Sequence, residues 1–312
     1  MIENMLLGLH HITAVTSDAQ KNISFYASTL GLRLVKQTIN YDDPESYRLY
    51  YGDETGSPGS ILSFRVFPQA KEGAVGRGQF ATITLSISMD AIDFWVDRLT
   101  QYKVPFKDPQ QRARDEVVIY LEDPDGLGIE LIANERDRRT GYAHAEISTP
   151  MAIKGLYSVE IWLPTFFKTG TFMEMLGMKL IEEKSQTRRY AHRDVPGAYT
   201  DVTWGKDGAV GMTGAGTIEY MAWTVKEESD LHLLQGALRT KGLEMTAIRQ
   251  WTYYKAFSVK NSEGLVFTFA TEGPGFAVDE DQNQLGQKLS LPMWEEFRRA
   301  SLEAVLPPIQ LP

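Results

Sequence analysis

The sequence predicts an α+β fold of four tandem βαβββ modules that form two barrel-like halves. Two observations carry this. Four short segments of alternating polarity recur along the chain: LHHITAVT (9–16), QFATITLSIS (79–88), KGLYSVEIWL (154–163) and GTIEYMAWTV (216–225). Each is followed by apolar residues at helical spacing, and then by strand-like runs broken at turn residues. A period of two marks a strand with a buried face, and recurrence of one unit marks a repeated supersecondary element.

The elements follow in order. In the first unit, DAQKNISFYASTLGL carries Ile23, Tyr26 and Leu30 on one helical face, with Asp18 as N-cap and Gly31 as stop. YRLYYGDETGSPGSILSFRVF then reads as a hairpin about Gly56-Ser57-Pro58-Gly59. In the second unit, MDAIDFWVDRLTQY presents Phe94, Trp95, Leu99 and Tyr102, and VVIYLEDPDGLGIELIAN turns about Pro124-Asp125-Gly126. The third helix is expected in TFFKTGTFMEMLGM, stopped by Gly177. The fourth is expected in ESDLHLLQGALRTKGL, with Ser229 as N-cap and Gly242 as stop, and FSVKNSEGLVFTFAT closes that unit about Ser262-Glu263-Gly264.

Two modules together bury one curved sheet, so four imply two halves, 1–145 and 154–272, divided after the charged ERDRRTGY stretch. Residues 273–312 do not repeat the unit. They are expected to form a loop and a short helix over 292–305, ended by Pro307 and Pro308, packing on the barrels.

Composition narrows the function. The 312 residues are 43% hydrophobic, enough for several cores, and the net charge of −9 argues against a nucleic-acid backbone or anionic membrane as partner. Basic clusters at Arg136, Arg138 and Arg139 and at Arg188 and Arg189 are short and read as solvated ends. The chain has no cysteine, which excludes disulfides, thiolate metal sites and cysteine nucleophiles. No signal peptide is read at MIENMLLGLHHITAV, and no run approaches the length of a membrane span, so a cytoplasmic protein is expected.

A transition-metal site would have to be built from the five histidines with Asp or Glu. His10 and His11 are adjacent on one strand, so their side chains are expected on opposite faces. His144, His192 and His232 have no ligand-spaced partner on their own elements and read as structural. Glu130 lies in the apolar GIELIAN, where an inward carboxylate is costly unless paired or metal-bound; Glu160 and Glu219 lie on module-opening strands. The Gly-rich GAVGRG and GAVGMTGAG lack the Lys-Ser/Thr ending of a phosphate loop, and there is no Gly-x-Ser-x-Gly elbow or HExxH.

The segment from LHHITAVTSDAQKNISFYASTLGL through ILSF resembles the opening of hydroquinone-type extradiol ring-cleaving dioxygenases of the vicinal-oxygen-chelate (glyoxalase/bleomycin-resistance) superfamily. The resemblance resumes at DPDGLGIELIAN, GAGTIEYMAWTV, EGLVFTFATEGPGFAVDEDQNQLGQKLSLPMWEE and LEAVLPP, so it spans nearly the whole chain. It implies Fe(II) or Mn(II) on two histidines and one carboxylate, with open positions for substrate and dioxygen. His11 falls on the first ligand position. The second ligand, a His on the fourth module's opening strand, falls on Tyr220, and the third, the Glu of a Phe-Glu motif, falls on Thr268. A family tyrosine ten residues earlier falls on Ser258, and a family arginine falls on Trp251.

The resemblance therefore implies a pocket of His11, Tyr220, Trp251, Ser258 and Thr268 in which one of three ligands is kept. The first and fourth modules are expected to share this barrel, because these positions must converge. A phenol ionises at roughly pH 10 and a threonine hydroxyl is a weak donor, so neither replaces the missing ligands well. The expected function is a non-catalytic or repurposed binder of an aromatic or quinone-like small molecule, without a cofactor. The other reading is an active ring-cleaving dioxygenase with a shifted Fe(II) or Mn(II) site. A second site around Glu130 and Tyr157 and a homo-oligomeric state are left open.

Overall fold

The computed structural model describes residues 5–113, 115–143, 146–205 and 208–311; His144 lies outside them. The first module runs β1 (Leu9–Thr16), α1 (Ala19–Ile23, prolonged by a π-helical stretch over Ser24–Thr29), β2 (Arg33–Asn40), β3 (Asp43–Gly52) and β4 (Ile61–Val66). The second runs β5 (Gln79–Ile87), α2 (Ile92–Gln101), β6 (Gln110–Ala113), β7 (Glu116–Glu122) and β8 (Gly128–Asn134). The third runs β9 (Gly155–Leu163), α3 (Phe167–Met175), β10 (Lys179–Lys184), β11 (Thr187–Ala191) and β12 (Tyr199–Trp204). The fourth runs β13 (Ile218–Val225), α4 (Glu228–Arg239), β14 (Arg249–Trp251), β15 (Tyr254–Lys260) and β16 (Val266–Pro274). The fourfold βαβββ order is the one the repeats predict.

The modules build two eight-stranded sheets. One has the order β14-β15-β16-β13-β1-β4-β3-β2 and combines modules one and four; the other, β10-β11-β12-β9-β5-β8-β7-β6, combines modules two and three. In each, the opening strands pair antiparallel, β1 with β13 and β5 with β9. Each sheet thus takes one module from either side of the 143–154 segment, so the sheets do not follow the sequence halves.

Each sheet curls until its ends meet. Tyr41, between β2 and β3, stacks on Trp251 of β14 at 5.3 Å, and its hydroxyl lies 2.7 Å from Thr252 Oγ1. In the second sheet Lys184 on β10 donates to the Arg112 carbonyl on β6 at 2.6 Å. The apolar faces turn away from these curls into one core that runs through both sheets. There Phe267 stacks on Trp223 and touches Phe80 and Phe172 from the other sheet's modules. Each such fully buried side chain contributes about 1.5–3 kcal/mol.

Asp18 caps α1, accepting from Lys21 N at 3.0 Å, and Gly31, Gly177 and Gly242 stop their helices with positive φ. The expected cap at Ser229 is corrected. Helix α4 starts two residues earlier, behind Glu227, because Asp230 reaches back to Glu227 N and completes a capping box; Ser229 Oγ donates to Glu227 instead. The C-terminal segment also differs: its helix α5 (Arg299–Val305) is shorter than 292–305 and follows a 3-10 turn, Glu296–Arg298.

Before that helix, the chain lies along β2. Leu289 pairs with Gln37, and Gln37 Nε2 donates to Gly286 O at 2.9 Å. The fully buried Lys36 ammonium binds Asp279 at 2.6 Å and also Glu280. No helix among the described residues is long and apolar enough to cross a membrane.

Candidate functional site

The sequence-predicted pocket residues converge on the inner face of the first sheet. His11 is in register with Ala222, Ala222 with Thr268, and Thr268 with Ser258, so one cross-strand row links β1, β13, β16 and β15. Tyr220 stands beside this row with its hydroxyl 3.4 Å from His11 Nε2. Ser258 and Thr268 bond each other through their hydroxyls at 2.8 Å. Trp251 arrives from the sheet's far end through the curl and stacks on Tyr41.

The expectation that His10 and His11 face opposite ways is overturned. The β1 register jumps from Leu9↔Trp223 to His11↔Ala222, which makes His10 the extra residue of a β-bulge. A bulge breaks the alternation and turns both imidazoles to the same side. Their Nδ1 atoms lie 2.8 Å apart, and their rings are 5.3 and 5.1 Å from Tyr254. A second bulge, on β13 at Glu219, turns that carboxylate to Arg65 at 3.2 Å.

The hydrogen bonds fix the tautomers. His10 Nε2 donates to the Thr271 carbonyl at 3.0 Å, so its Nδ1 accepts from His11 Nδ1. The His11 Nε2 lone pair is then the one that faces Tyr220. Burial pushes His10 down to about 4, and burial, with His10 and Arg48 nearby, holds His11 well below the usual imidazole range. Both rings are neutral around pH 7.

Sequence reasoning missed Arg48. On β3 the alternation places Tyr47, Leu49 and Tyr51 in the core and Arg48 and Tyr50 on the other face. That phase was the available signal. Arg48 as a residue is 7% exposed, and its guanidinium donates to Tyr220 Oη at 2.7 Å, to Ser63 Oγ at 3.1 Å and to Thr13 Oγ1 at 3.5 Å. It also lies over the rings of Tyr50 at 5.1 Å and Trp251 at 5.8 Å. Tyr50 and Tyr254 complete the aromatic wall, and burial pushes both phenols above their ordinary value.

The second sheet carries a different arrangement. Glu130 pairs with Arg112 and accepts from Thr84 at 3.0 Å, while Tyr157 donates to Glu116. Arg189 grips Asp201 at 2.8 and 3.0 Å, and Glu160 accepts from the Thr82 and Thr203 hydroxyls. A cavity of about 350 Å³ opens among these groups, whose arginines already have carboxylate partners.

Residues 8–131 match the model of the Glyoxalase/Bleomycin resistance protein/Dioxygenase superfamily. The chain is 33% identical over 306 residues to a Bacillus subtilis (strain 168) protein named "Putative ring-cleaving dioxygenase MhqO", covering 98% of this chain and 97% of that one. It is 28% identical to the "Chlorohydroquinone/hydroquinone 1,2-dioxygenase" of Sphingobium indicum, covering 97% of each. A crystal structure of a Bacillus subtilis protein named "putative dioxygenase" superposes with a TM-score of 0.93, at 33% identity and 98% coverage of both chains. The glyoxalase I structure from Zea mays, at 14% identity and a TM-score of 0.63 over 85% of this chain and 92% of that one, shares the fold. By fold and by full-length similarity, this chain belongs to the Glyoxalase/Bleomycin resistance protein/Dioxygenase superfamily.

Proposed function

We propose that the protein binds a small aromatic or quinone-like molecule on the inner face of its first sheet, without a metal ion. The relatives named for ring cleavage support the aromatic class. The aromatic wall of Tyr50, Trp251 and Tyr254 supports it from geometry. The observation that carries the metal-free reading is Arg48 donating to Tyr220 Oη.

The residues at the three ligand positions do not fit Fe(II) or Mn(II). They offer one imidazole nitrogen, a phenol already bonded to a guanidinium, and a hydroxyl tied to Ser258. Among the described residues no cluster of three His, Asp or Glu could hold a metal, and the nearby Glu219 is committed to Arg65. A fixed positive charge beside the position opposes a cation further. Two unit charges at roughly 4 Å repel by about 4 kcal/mol at an effective dielectric near 20, and a divalent ion doubles that. His11 is then a neutral acceptor that orients Tyr220.

The test is metal content and oxygen uptake. After anaerobic incubation with Fe(II) or Mn(II) and gel filtration, the protein is expected to hold far less than one equivalent and to consume no oxygen with hydroquinones. Stoichiometric metal together with substrate-dependent oxygen consumption would overturn the proposal and establish the ring-cleaving reading. A cytoplasmic location belongs to the same proposal and rests on the cysteine-free composition.

A further inference from the structure

Four cationic side chains are buried among the described residues: Lys36, Arg48, Arg98 and Arg189. Lys36 binds Asp279 and Glu280, Arg98 binds Glu146, and Arg189 binds Asp201 and Glu116. Arg48 alone has no carboxylate partner among the described residues; its acceptors are the hydroxyls of Ser63, Thr13 and Tyr220. Burying a charge is unfavourable by several kcal/mol unless an opposite charge offsets it. The neighbouring acidic group that could have done so, Glu219, is held by Arg65, which is in register with Arg48.

Arg48 Nε and Nη2 make the three hydrogen bonds, and Nη1 donates to no protein atom among the described residues. A guanidinium carries five N–H donors and accepts nothing, so the donors on Nη1 are open to an oxygen from outside the protein, water or ligand alike. The rings of Tyr50 and Trp251 flank the group, and Tyr220 and Trp251 are themselves partly open to solvent. The face thus offers a fixed cation with planar apolar walls and a neutral imidazole, a combination suited to an aromatic anion.

We propose that Arg48 is the receptor for an anionic oxygen carried on an aromatic ring, either a phenolate or an aromatic carboxylate. This rests on the aromatic-binding reading above and adds the charge of the ligand. The same guanidinium that keeps a metal ion away selects the anion.

Calorimetric titration with paired probes tests it: benzoate against benzamide, and pentafluorophenolate against pentafluoroaniline. In the wild type at neutral pH, at least one anion is expected to bind about tenfold or more tightly than its neutral partner. Which pair shows the preference separates carboxylate from phenolate. Arg48→Met is expected to bring the preference close to unity without lowering the melting temperature, and Arg48→Lys to retain part of it. Equal binding of anion and neutral partner by the wild type overturns the inference and leaves the aromatic-binding reading standing. Binding of neither member of either pair sinks both. An undiminished preference in Arg48→Met removes Arg48 from the role, and the wild-type comparison decides the matter even if that variant does not fold.

Discussion

His10 is a neutral imidazole clamped between the Thr271 carbonyl and His11, with Tyr254 against its ring. Its folded-state value of about 4 lies below the ordinary one of 6.5, so the unfolded chain takes up the proton first on acidification. Its contribution to stability is complete above 6.5, is lost as pH falls toward 4, and is flat below that. The full loss is roughly 3 kcal/mol. Asp123 acts in the opposite sense: burial pushes it up from 3.8 to about 6, so its contribution to stability is lost as pH rises from 3.8 to about 6 and is flat above that. The raw pH profile therefore understates both groups. The measurement is the urea midpoint of wild type against His10→Gln between pH 7.5 and 4, where the wild type should lose stability relative to the variant; a gap independent of pH would show that His10 is not held neutral. At the same scale, Tyr220→His with Thr268→Glu is expected to restore metal binding only weakly while Arg48 remains. Adding Arg48→Leu should raise Mn(II) affinity at least tenfold over the double variant, measured by titration, as removal of about 1.4 kcal/mol of repulsion already requires.

Among the elements, the C-terminal segment is held to β2 by contacts that leave no room for a side chain at Gly286. That residue has φ of 74°, and a Cβ on it would lie 1.9 Å from the Leu34 carbonyl oxygen. Gly242 has a similar φ of 77° but open space around its Cβ direction. Gly242→Ala should therefore cost about 1–2 kcal/mol from the backbone alone. Gly286→Ala should cost more, and limited proteolysis under native conditions should then cut between Gly275 and Arg299. Equal losses for the two variants would mean that the close approach to Leu34 does not matter. The glycine stops and the Asp18 cap were legible in the sequence because helix ends are decided by local backbone geometry. The Ser229 cap was misplaced because Glu227 and Asp230 outcompete it, a contest among neighbours that single-residue preferences do not rank. The His10–His11 bulge was invisible, since a bulge is defined by the partner strand β13, which lies far along the chain.

For the whole molecule, the decisive fact is that β1 pairs with β13 and β5 with β9. Residues 1–145 hold one half of each sheet, and so do residues 154–312. Each fragment exposes the unpaired edge of a central strand, β1 or β5 in one and β13 or β9 in the other, together with half of the continuous core. Expressed alone, neither fragment is expected to show a cooperative melt or dispersed amide resonances, whereas mixing or co-expressing them should restore both. A fragment that folds by itself would show that the sequence halves are independent domains after all. The repeats made four modules legible, because periodicity is a local property of the chain. They did not reveal the arrangement of the modules between the two sheets; the pairing of the first with the fourth came from the family's converging positions.

The chain's own order of residues decided the fourfold βαβββ unit, the alternation of faces and the identity of the residues at His11, Tyr220 and Thr268. Each of these depends on neighbours within a turn or a strand. Only the tertiary structure decided that two sheet ends would close on each other and that an arginine from β3 would lie beside Tyr220. The reason is that Arg48 and Trp251 belong to opposite ends of a sheet whose curl is set by twist and core packing, and no local pattern records which distant strands that curl will bring together.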